Sequence, residues 1–136
     1  MLAMNAAGSP AAARSERSSV LRHRDAMPAD PYIAIWEFEV PDESVDAFVE
    51  AYGPAGAWAR LFRQASGYRG TELYRDRDDP QRFVTLDFWL SAEDYHAFQA
   101  RFKEEYAALD RACEPLARAE RPLGRFALAD RSSPGF

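Results

Sequence analysis

The fold is decided by residues 68–98, which have the sequence YRGTELYRDRDDPQRFVTLDFWLSAEDYHAF. This stretch holds two runs rich in β-branched and aromatic residues, which are typical of β-strands. Between the runs lies RDDP (77–80), a combination that favours a turn, so the two runs predict a hairpin. Ser91 then opens a helix, and Asp94, three residues later, completes a capping box. The stretch therefore predicts strand, turn, strand and helix in succession.

Upstream of the hairpin, the pattern predicts one strand and two helical segments. The strand is PYIAIWEFEV (31–40). Asp42 is the expected N-cap of the first helix, which ends at Gly53-Pro54. Pro54 suits the first turn of the second helix, and Gly67 is the expected C-cap of that helix. The apolar residues at helical spacing are Val45, Phe48, Val49 and Tyr52, followed by Ala57, Trp58, Leu61, Phe62 and Ala65.

Downstream of Ser91, the pattern predicts the longest helix and a closing strand. Pro115 should end or kink this helix near Glu114, and Leu123–Leu128 is the short last strand. The element order is then β-α-β-β-α-β, which predicts a ferredoxin-like α+β fold with a four-stranded antiparallel sheet. The apolar face of the long helix consists of Tyr95, Phe98, Phe102, Tyr106, Leu109, Cys113 and Leu116.

Strand alternation divides the residues of the third strand between two faces of the sheet. The face expected under the helices carries Val84, Leu86, Phe88 and Leu90. The other face would carry Thr85, Asp87 and Trp89. A four-stranded sheet with one bare, partly aromatic face needs a partner. A two-fold symmetric dimer, sheet against sheet, covers that face and closes an α+β barrel, so the sequence predicts a homodimer.

Composition and charge exclude several classes of partner. The net charge of −5 lacks the basic footprint that nucleic acid requires, and an anionic membrane surface is an equally poor partner. No apolar run approaches the ~18 residues of a membrane helix. The single cysteine, Cys113, cannot form an intramolecular disulfide, which fits a reducing cytoplasm.

The chain is expected to divide into one domain and two tails. Residues 1–30 hold almost no large apolar side chains, so they predict a disordered tail. Translation could alternatively start at Met27, just ahead of the first strand. Residues 31–128 form the domain, and residues 129–136 are expected to be a short disordered tail.

Three stretches carry a resemblance to a known family: 52–76, 82–98 and 106–116, the last with the sequence YAALDRACEPL. Over residues 31–128 the chain resembles the antibiotic biosynthesis monooxygenase family. The resemblance implies a dimeric ferredoxin-like barrel. It also implies a cofactor-independent monooxygenase of a small aromatic substrate, of the phenol or quinol type, in which the substrate itself reduces oxygen. Neither metal nor flavin is then needed.

The resemblance also has departures. Characterised members of the family commonly rely on an asparagine, a tryptophan and sometimes a tyrosine or arginine, but Asn5 is the only asparagine of this chain. In the haem-degrading branch two helical positions carry a tryptophan and an axial histidine. Aligned from Trp89, those positions hold Phe98 and Ala108, so the haem branch is not expected. His23 and His96 make no metal site.

The polar residues expected to face the barrel interior are Glu37, Glu72, Tyr74 and Asp87, with Arg125 less certain. A carboxylate in an apolar barrel would have a raised pKa and could act as a base towards a phenol. Asp87 is the first candidate for this catalytic base and Glu37 the second. The candidates for substrate binding are Trp89, Glu72, Tyr74 and Trp36.

Each candidate also has a purely structural interpretation. The acids could lie at the rim of the barrel or pair with Arg69, Arg75 or Arg82. The tryptophans could be ordinary core residues. The alternative function is therefore a non-catalytic dimer that binds a small ligand or acts as a structural module.

Overall fold

The structure is a computed structural model that describes residues 30–132. Its strands are β1 (Tyr32–Glu39), β2 (Tyr68–Arg75), β3 (Arg82–Trp89) and β4 (Ala119–Ala127). Its α-helices are α1 (Val45–Tyr52), α2 (Ala57–Phe62), α3 (Ala92–Arg101) and α4 (Lys103–Cys113), with short 3-10 turns at Asp42–Ser44 and Glu114–Leu116. The strands form one antiparallel sheet in the order β2-β3-β1-β4. The predicted ferredoxin-like α+β fold is confirmed.

Several predicted boundaries move by a few residues. The proposed tails, 1–30 and 129–136, lie largely outside the described residues, and the domain division stays a prediction. Within the described part of the chain, no helix is long and apolar enough to cross a membrane. The cytoplasmic location also stays a prediction.

The capping box at the start of α3 is present as predicted. The Ser91 hydroxyl accepts a hydrogen bond from the Asp94 backbone N–H at 3.1 Å. The expected caps of the first two helices are wrong. The side chain of Asp42 accepts a hydrogen bond from Gln81 across the domain, and α2 ends at Phe62, well before Gly67.

The predicted long helix is broken at Phe102, which has φ −111° and ψ 32°. Each half packs on its own indole: Phe98 lies 5.1 Å from the Trp89 ring and Tyr106 lies 4.8 Å from the Trp58 ring, centroid to centroid. Neither proline nor glycine marks the break, so the sequence pattern could not indicate it. Only the tertiary contacts of the two halves account for its position.

The last strand begins at Ala119, four residues earlier than predicted. Pro122 is unusual inside a strand, because proline cannot donate to a sheet ladder. The strand tolerates Pro122 because β4 lies at the edge of the sheet and, among the four described strands, pairs with β1 alone. A register shift accompanies it between the pairs Ile35–Gly124 and Trp36–Pro122.

The predicted faces of β3 are reversed in the structure. The Trp89 ring packs against Phe62 of α2 and Phe98 of α3, at 5.7 and 5.1 Å between centroids. The helices therefore cover Asp87 and Trp89, while Leu86 lies on the open face. Both faces of β3 carry apolar side chains, so the pattern does not show which face the helices cover. Because side chains alternate along a strand, an error in this choice moves every residue of β3 to the opposite face.

The open face of the sheet is apolar at its centre and charged at one end. The apolar residues assigned to it by register and alternation include Ile33, Ile35, Val84, Leu86 and Phe126. Phe126 is 45% exposed. The charged end carries Glu37 with two arginines. In residues 30–132 no second layer covers this face.

Candidate functional site

The candidate site is built around the carboxyl group of Asp87, in the middle of the helix-covered face. Asp87 is 3% exposed and lies between Ala34 of β1 and Thr71 of β2 in the sheet register. The Thr71 hydroxyl donates a hydrogen bond of 2.7 Å to Asp87 Oδ1. The Tyr68 hydroxyl lies 2.6 Å from the Thr71 hydroxyl. Three polar side chains thus form a connected chain inside an apolar layer.

Burial raises the pKa of Asp87 to about 7, and the hydrogen bond from Thr71 offsets part of that rise. Removing a carboxylate from water disfavours its charged form, whereas a donated hydrogen bond favours it. The outcome is a carboxyl group that changes protonation state near neutral pH. Such a group can both accept and return a proton under ordinary conditions.

Aromatic rings enclose this carboxyl on the side of the helices. The Trp89 ring lies 5.4 Å from the Tyr68 ring and 5.6 Å from the Tyr95 ring, between centroids. Burial raises the pKa of Tyr95 to about 12, so its hydroxyl stays neutral. The guanidinium carbon of Arg125 lies 5.5 Å from the centre of the Tyr95 ring.

Several buried polar atoms in the helix-covered layer have no hydrogen-bond partner. Within the described residues these are Thr85 Oγ1, Trp89 Nε1 and Tyr95 Oη, with Trp58 Nε1 a fourth. Buried polar groups in native proteins are nearly always satisfied, so each exception calls for an explanation. Thr85 and Trp89 share the strand face of Asp87, and Tyr95 contacts Trp89. The arrangement offers hydrogen-bond donors beside a titratable carboxyl.

The predicted site residues fall on two different faces. Trp36 and Trp89 are buried core residues on the side of Asp87. Glu37, Glu72 and Tyr74 lie on the open face, where the Tyr74 hydroxyl donates to Glu72 at 2.6 Å. The prediction that all four polar candidates share one interior is therefore wrong, because Asp87 faces the helices.

Glu37 also differs from the prediction in its electrostatics. Its carboxylate accepts hydrogen bonds from Arg121 at 2.6 and 2.9 Å, and Arg82 binds the other oxygen. These bonds, from Arg121 first and Arg82 second, lower the pKa of Glu37. The expectation of a raised pKa is wrong for Glu37, and the pairing with Arg82 matches the structural interpretation of this acid.

A small surface cavity of about 160 Å³ opens beside this ion cluster. It lies at the charged end of the open face, away from Asp87. A drug-sized ligand needs roughly 300 Å³ or more. The cavity therefore adds nothing to the case for Glu37 as a catalytic residue.

Sequence reasoning missed the other polar side chains of the helix-covered face. Thr71, Tyr68, Thr85 and Tyr95 were not candidates. Pairing the two strands of the hairpin from their turn would have placed Thr71 opposite Asp87. The face of Tyr68 could not be predicted by strand alternation, because a bulge in β2 lies between Tyr68 and Thr71.

The other singled-out residues are structural. His96 is exposed, and Cys113 is a buried thiol whose pKa is raised by burial. Among residues 30–132, no group of three or more histidine, cysteine and acidic side chains could hold a metal ion.

Residues 31–109 match the family model for the antibiotic biosynthesis monooxygenase family. The chain belongs to this family. No curated protein has a sequence that matches significantly. The matched residues span β1 to α3 and much of α4. The three hydrogen-bonded residues Tyr68, Thr71 and Asp87 therefore all lie within the family domain.

Solved structures with the same fold include three from different bacteria. A variant of SnoaB, a cofactor-independent oxygenase from Streptomyces nogalater, has 17% identity and a TM-score of 0.53, covering 79% of this chain and 100% of that chain. A Shewanella oneidensis protein has 13% identity and a TM-score of 0.54, covering 73% and 91%. A Mycobacterium tuberculosis protein has 18% identity and a TM-score of 0.51, covering 76% and 98%. At these identities the likeness shows the fold alone.

This member of the family has no asparagine in residues 31–128. Its helix-covered face carries the carboxyl of Asp87, the hydroxyls of Thr71 and Thr85 and the indoles of Trp36 and Trp89. Among the described residues on that face of β3, Asp87 is the side chain whose pKa lies near neutrality.

Proposed function

We propose that this protein is a cofactor-independent monooxygenase of a small aromatic substrate, of the phenol or quinol type, with Asp87 as its base. Membership of the family supports the reaction class. The observation that carries the role of Asp87 is its buried carboxyl with a pKa of about 7. General bases work best when their pKa lies near the operating pH.

In the proposed reaction, Asp87 removes the proton from the phenolic hydroxyl of the substrate. The resulting phenolate transfers an electron to O₂, and the substrate radical then combines with the reduced oxygen to form a carbon–oxygen bond. The proton returned from Asp87 converts this peroxide into a hydroperoxide on a carbon that still bears a hydrogen. The O–O bond then breaks and that carbon loses its hydrogen, so one oxygen atom remains in the product as a carbonyl and the other leaves as water. The apolar surroundings of Asp87 keep bulk water from competing for that proton.

The substrate contacts follow from the same face of the sheet. Trp89 and Trp36 would contact the aromatic ring, and Trp89 Nε1 and Tyr95 Oη would donate hydrogen bonds to substrate oxygens. Glu72 and Tyr74 lie on the other face, away from Asp87, so they are not part of the proposed substrate site. Because Asp87 is 3% exposed, the substrate must displace surrounding side chains to reach it.

We also propose that the chain forms a homodimer through the open face of the sheet. The support is the row of apolar side chains on that face together with the membership of a family with this fold. Trp89, which the sequence predicts on this face, lies on the opposite face. The apolar surface that a partner would cover is formed by aliphatic side chains, with Ile35 and Leu86 at its centre.

The test is turnover of the full chain and of Asp87→Asn with a panel of quinols and anthrone-like phenols. Oxygen uptake and product formation are measured together. Asn keeps the shape of Asp and cannot act as a base, so turnover should fall by at least ~10²-fold. Circular dichroism establishes that the variant is folded.

Asp46→Asn is the matched control, because Asp46 is exposed on α1 and is not part of the proposed site. It should retain the turnover of the wild type. Unchanged turnover in Asp87→Asn would remove the base role. Absence of oxygen uptake by the wild type across the whole panel would favour the non-catalytic binding module instead.

A further inference from the structure

We infer that Thr71 and Tyr68 are positioning residues: through a directional chain of two hydrogen bonds, they hold the Asp87 carboxylate so that one oxygen faces the proton to be removed. This inference rests on the proposed function. It assigns roles to two side chains that the reaction itself does not touch.

The direction of the chain follows from counting hydroxyl protons. An ionised carboxylate only accepts hydrogen bonds, so the Thr71 hydroxyl must donate its single proton to Asp87 Oδ1, 2.7 Å away. The Thr71 oxygen can then only accept from Tyr68. The Tyr68 hydroxyl, 2.6 Å from Thr71 Oγ1, is therefore the donor of the second bond. Each donated bond strengthens the next one along the chain.

The chain ends on one oxygen of the carboxylate. Thr71 engages Oδ1, and Oδ2 is the oxygen that Thr71 does not engage. With Oδ1 fixed, the carboxyl group cannot rotate freely, and the orientation of Oδ2 is fixed as well. Such orientation of a base by a second residue is a recurring arrangement in acid–base sites.

A bulge in β2 makes the arrangement possible. Tyr68 and Thr71 are three residues apart, so plain strand alternation would place their side chains on opposite faces. The register shifts between Tyr68, which pairs with Trp89, and Gly70, which pairs with Phe88. The extra residue shifts the alternation of side chains by one position, so the hydroxyls of Tyr68 and Thr71 both lie on the face of Asp87. Gly70 has φ 129°, a backbone conformation that side-chain-bearing residues rarely adopt.

The other ionisable groups around Asp87 do not replace this role. Tyr95 of α3 and Tyr106 of α4 approach from the helical layer, and burial raises the pKa of both, so they are neutral. Arg125 of β4 lies over the ring of Tyr95. The Thr71 hydroxyl is thus the group that favours the ionised form of Asp87 by a direct hydrogen bond.

The test is a titration of Asp87 in the full chain by carboxyl ¹³C NMR, with the Asp87 signal assigned from its loss in Asp87→Asn. Thr71→Val removes the hydroxyl at nearly constant shape, and the pKa of Asp87 should rise by about one unit or more. Tyr68→Phe should raise it by less, because it removes the second bond of the chain. Thr71→Ser, which keeps a hydroxyl, should bring the pKa back towards the wild-type value.

Thr85→Val is the matched control. It deletes a buried hydroxyl on the same strand face, and that hydroxyl makes no hydrogen bond, so the pKa of Asp87 should stay unchanged. An unchanged pKa in both Thr71→Val and Tyr68→Phe would overturn the inference, whatever the turnover. A shifted pKa in a protein that consumes no oxygen would leave the chain of bonds in place and overturn the proposed function alone.

Discussion

At the level of single residues, Asp87 and Glu37 differ in what surrounds the same functional group. Glu37 lies between two arginines, and their hydrogen bonds keep its pKa low. Asp87 has one neutral donor and an apolar environment, and its pKa rises to about 7. Desolvation dominates where no cation is in contact, and direct charge pairing dominates where one is.

The raised pKa of Asp87 predicts a specific dependence of stability on pH. The pKa is 3.8 for an unperturbed aspartate and about 7 in the fold, so between these values the folded state binds more protons than the unfolded state. The stabilising effect of this protonation is fully present below 3.8 and is lost as pH rises through 7. Between about pH 5 and about pH 8, the contribution of Asp87 to the free energy of unfolding should fall by about 2–3 kcal/mol.

Urea unfolding of the wild type and of Asp87→Asn at these two pH values measures that contribution. From the lower to the higher pH, the wild type should lose the contribution of Asp87 to its free energy of unfolding. Asp87→Asn lacks this contribution, so it should become more stable relative to the wild type at the higher pH. Asp46→Asn should follow the wild type. Parallel pH dependences for the wild type and Asp87→Asn would show that Asp87 has an ordinary pKa in the fold.

How much of the site could be predicted is clearest for individual residues. The position of Asp87 in the middle of a strand, two residues from Trp89, was enough to single out a buried carboxyl. Its face was not predictable, because β3 alternates apolar residues on both sides: Phe83 and Trp89 on one, Val84 and Leu86 on the other. The choice between the faces is made by the helices, which bury the larger indole.

At the level of secondary-structure elements, two serines offer a matched test of helix capping. Ser91 precedes α3, and its hydroxyl accepts a hydrogen bond from the Asp94 N–H at 3.1 Å. Ser44 holds the corresponding position before α1, but its side chain makes no capping bond. Ser91→Ala should therefore lower the free energy of unfolding by about 1 kcal/mol.

Ser44→Ala is the control and should change the free energy of unfolding by less than about 0.5 kcal/mol. Urea denaturation of both variants, with equal m-values, measures the two effects. Equal losses in the two variants would mean that the Ser91 bond contributes nothing beyond helix propensity.

Local chemistry also explains which elements the sequence could predict. The hairpin and the start of α3 are marked by turn residues and a capping box, and both are present. The break at Phe102 and the early start of β4 at Ala119 have no local signal. They depend on contacts with Trp58 and Trp89 and on pairing with β1, which no short stretch of sequence contains.

At the level of the whole molecule, the two faces of the sheet have different proposed roles. The helix-covered face holds Asp87 and the aromatic rings around it. The open face holds the apolar row around Leu86, which pairs with Ile35 on β1 and Glu72 on β2. The site of chemistry and the proposed dimer interface therefore lie back to back within one domain.

This separation leads to a prediction about assembly. Light scattering of the full chain at micromolar concentration should give the mass of a dimer. Leu86→Arg should give a monomer, because a charge buried at the centre of an apolar interface lacks a partner. Val49→Arg is the control, since Val49 is 41% exposed on α1, and it should leave the dimer intact. A wild-type protein that is monomeric would remove the interface from the proposal.

The central claim is that the Asp87 carboxyl accepts the proton of the substrate, and the pH dependence of kcat/KM tests it most directly, because this ratio reports ionisations of the free enzyme. For the wild type, kcat/KM should rise with pH and level off through an apparent pKa of about 7, the pKa of Asp87. In Asp87→Asn this rise should vanish and the plateau should lie at least ~10²-fold lower. A profile in Asp87→Asn with the same midpoint and the same plateau as the wild type would contradict the account.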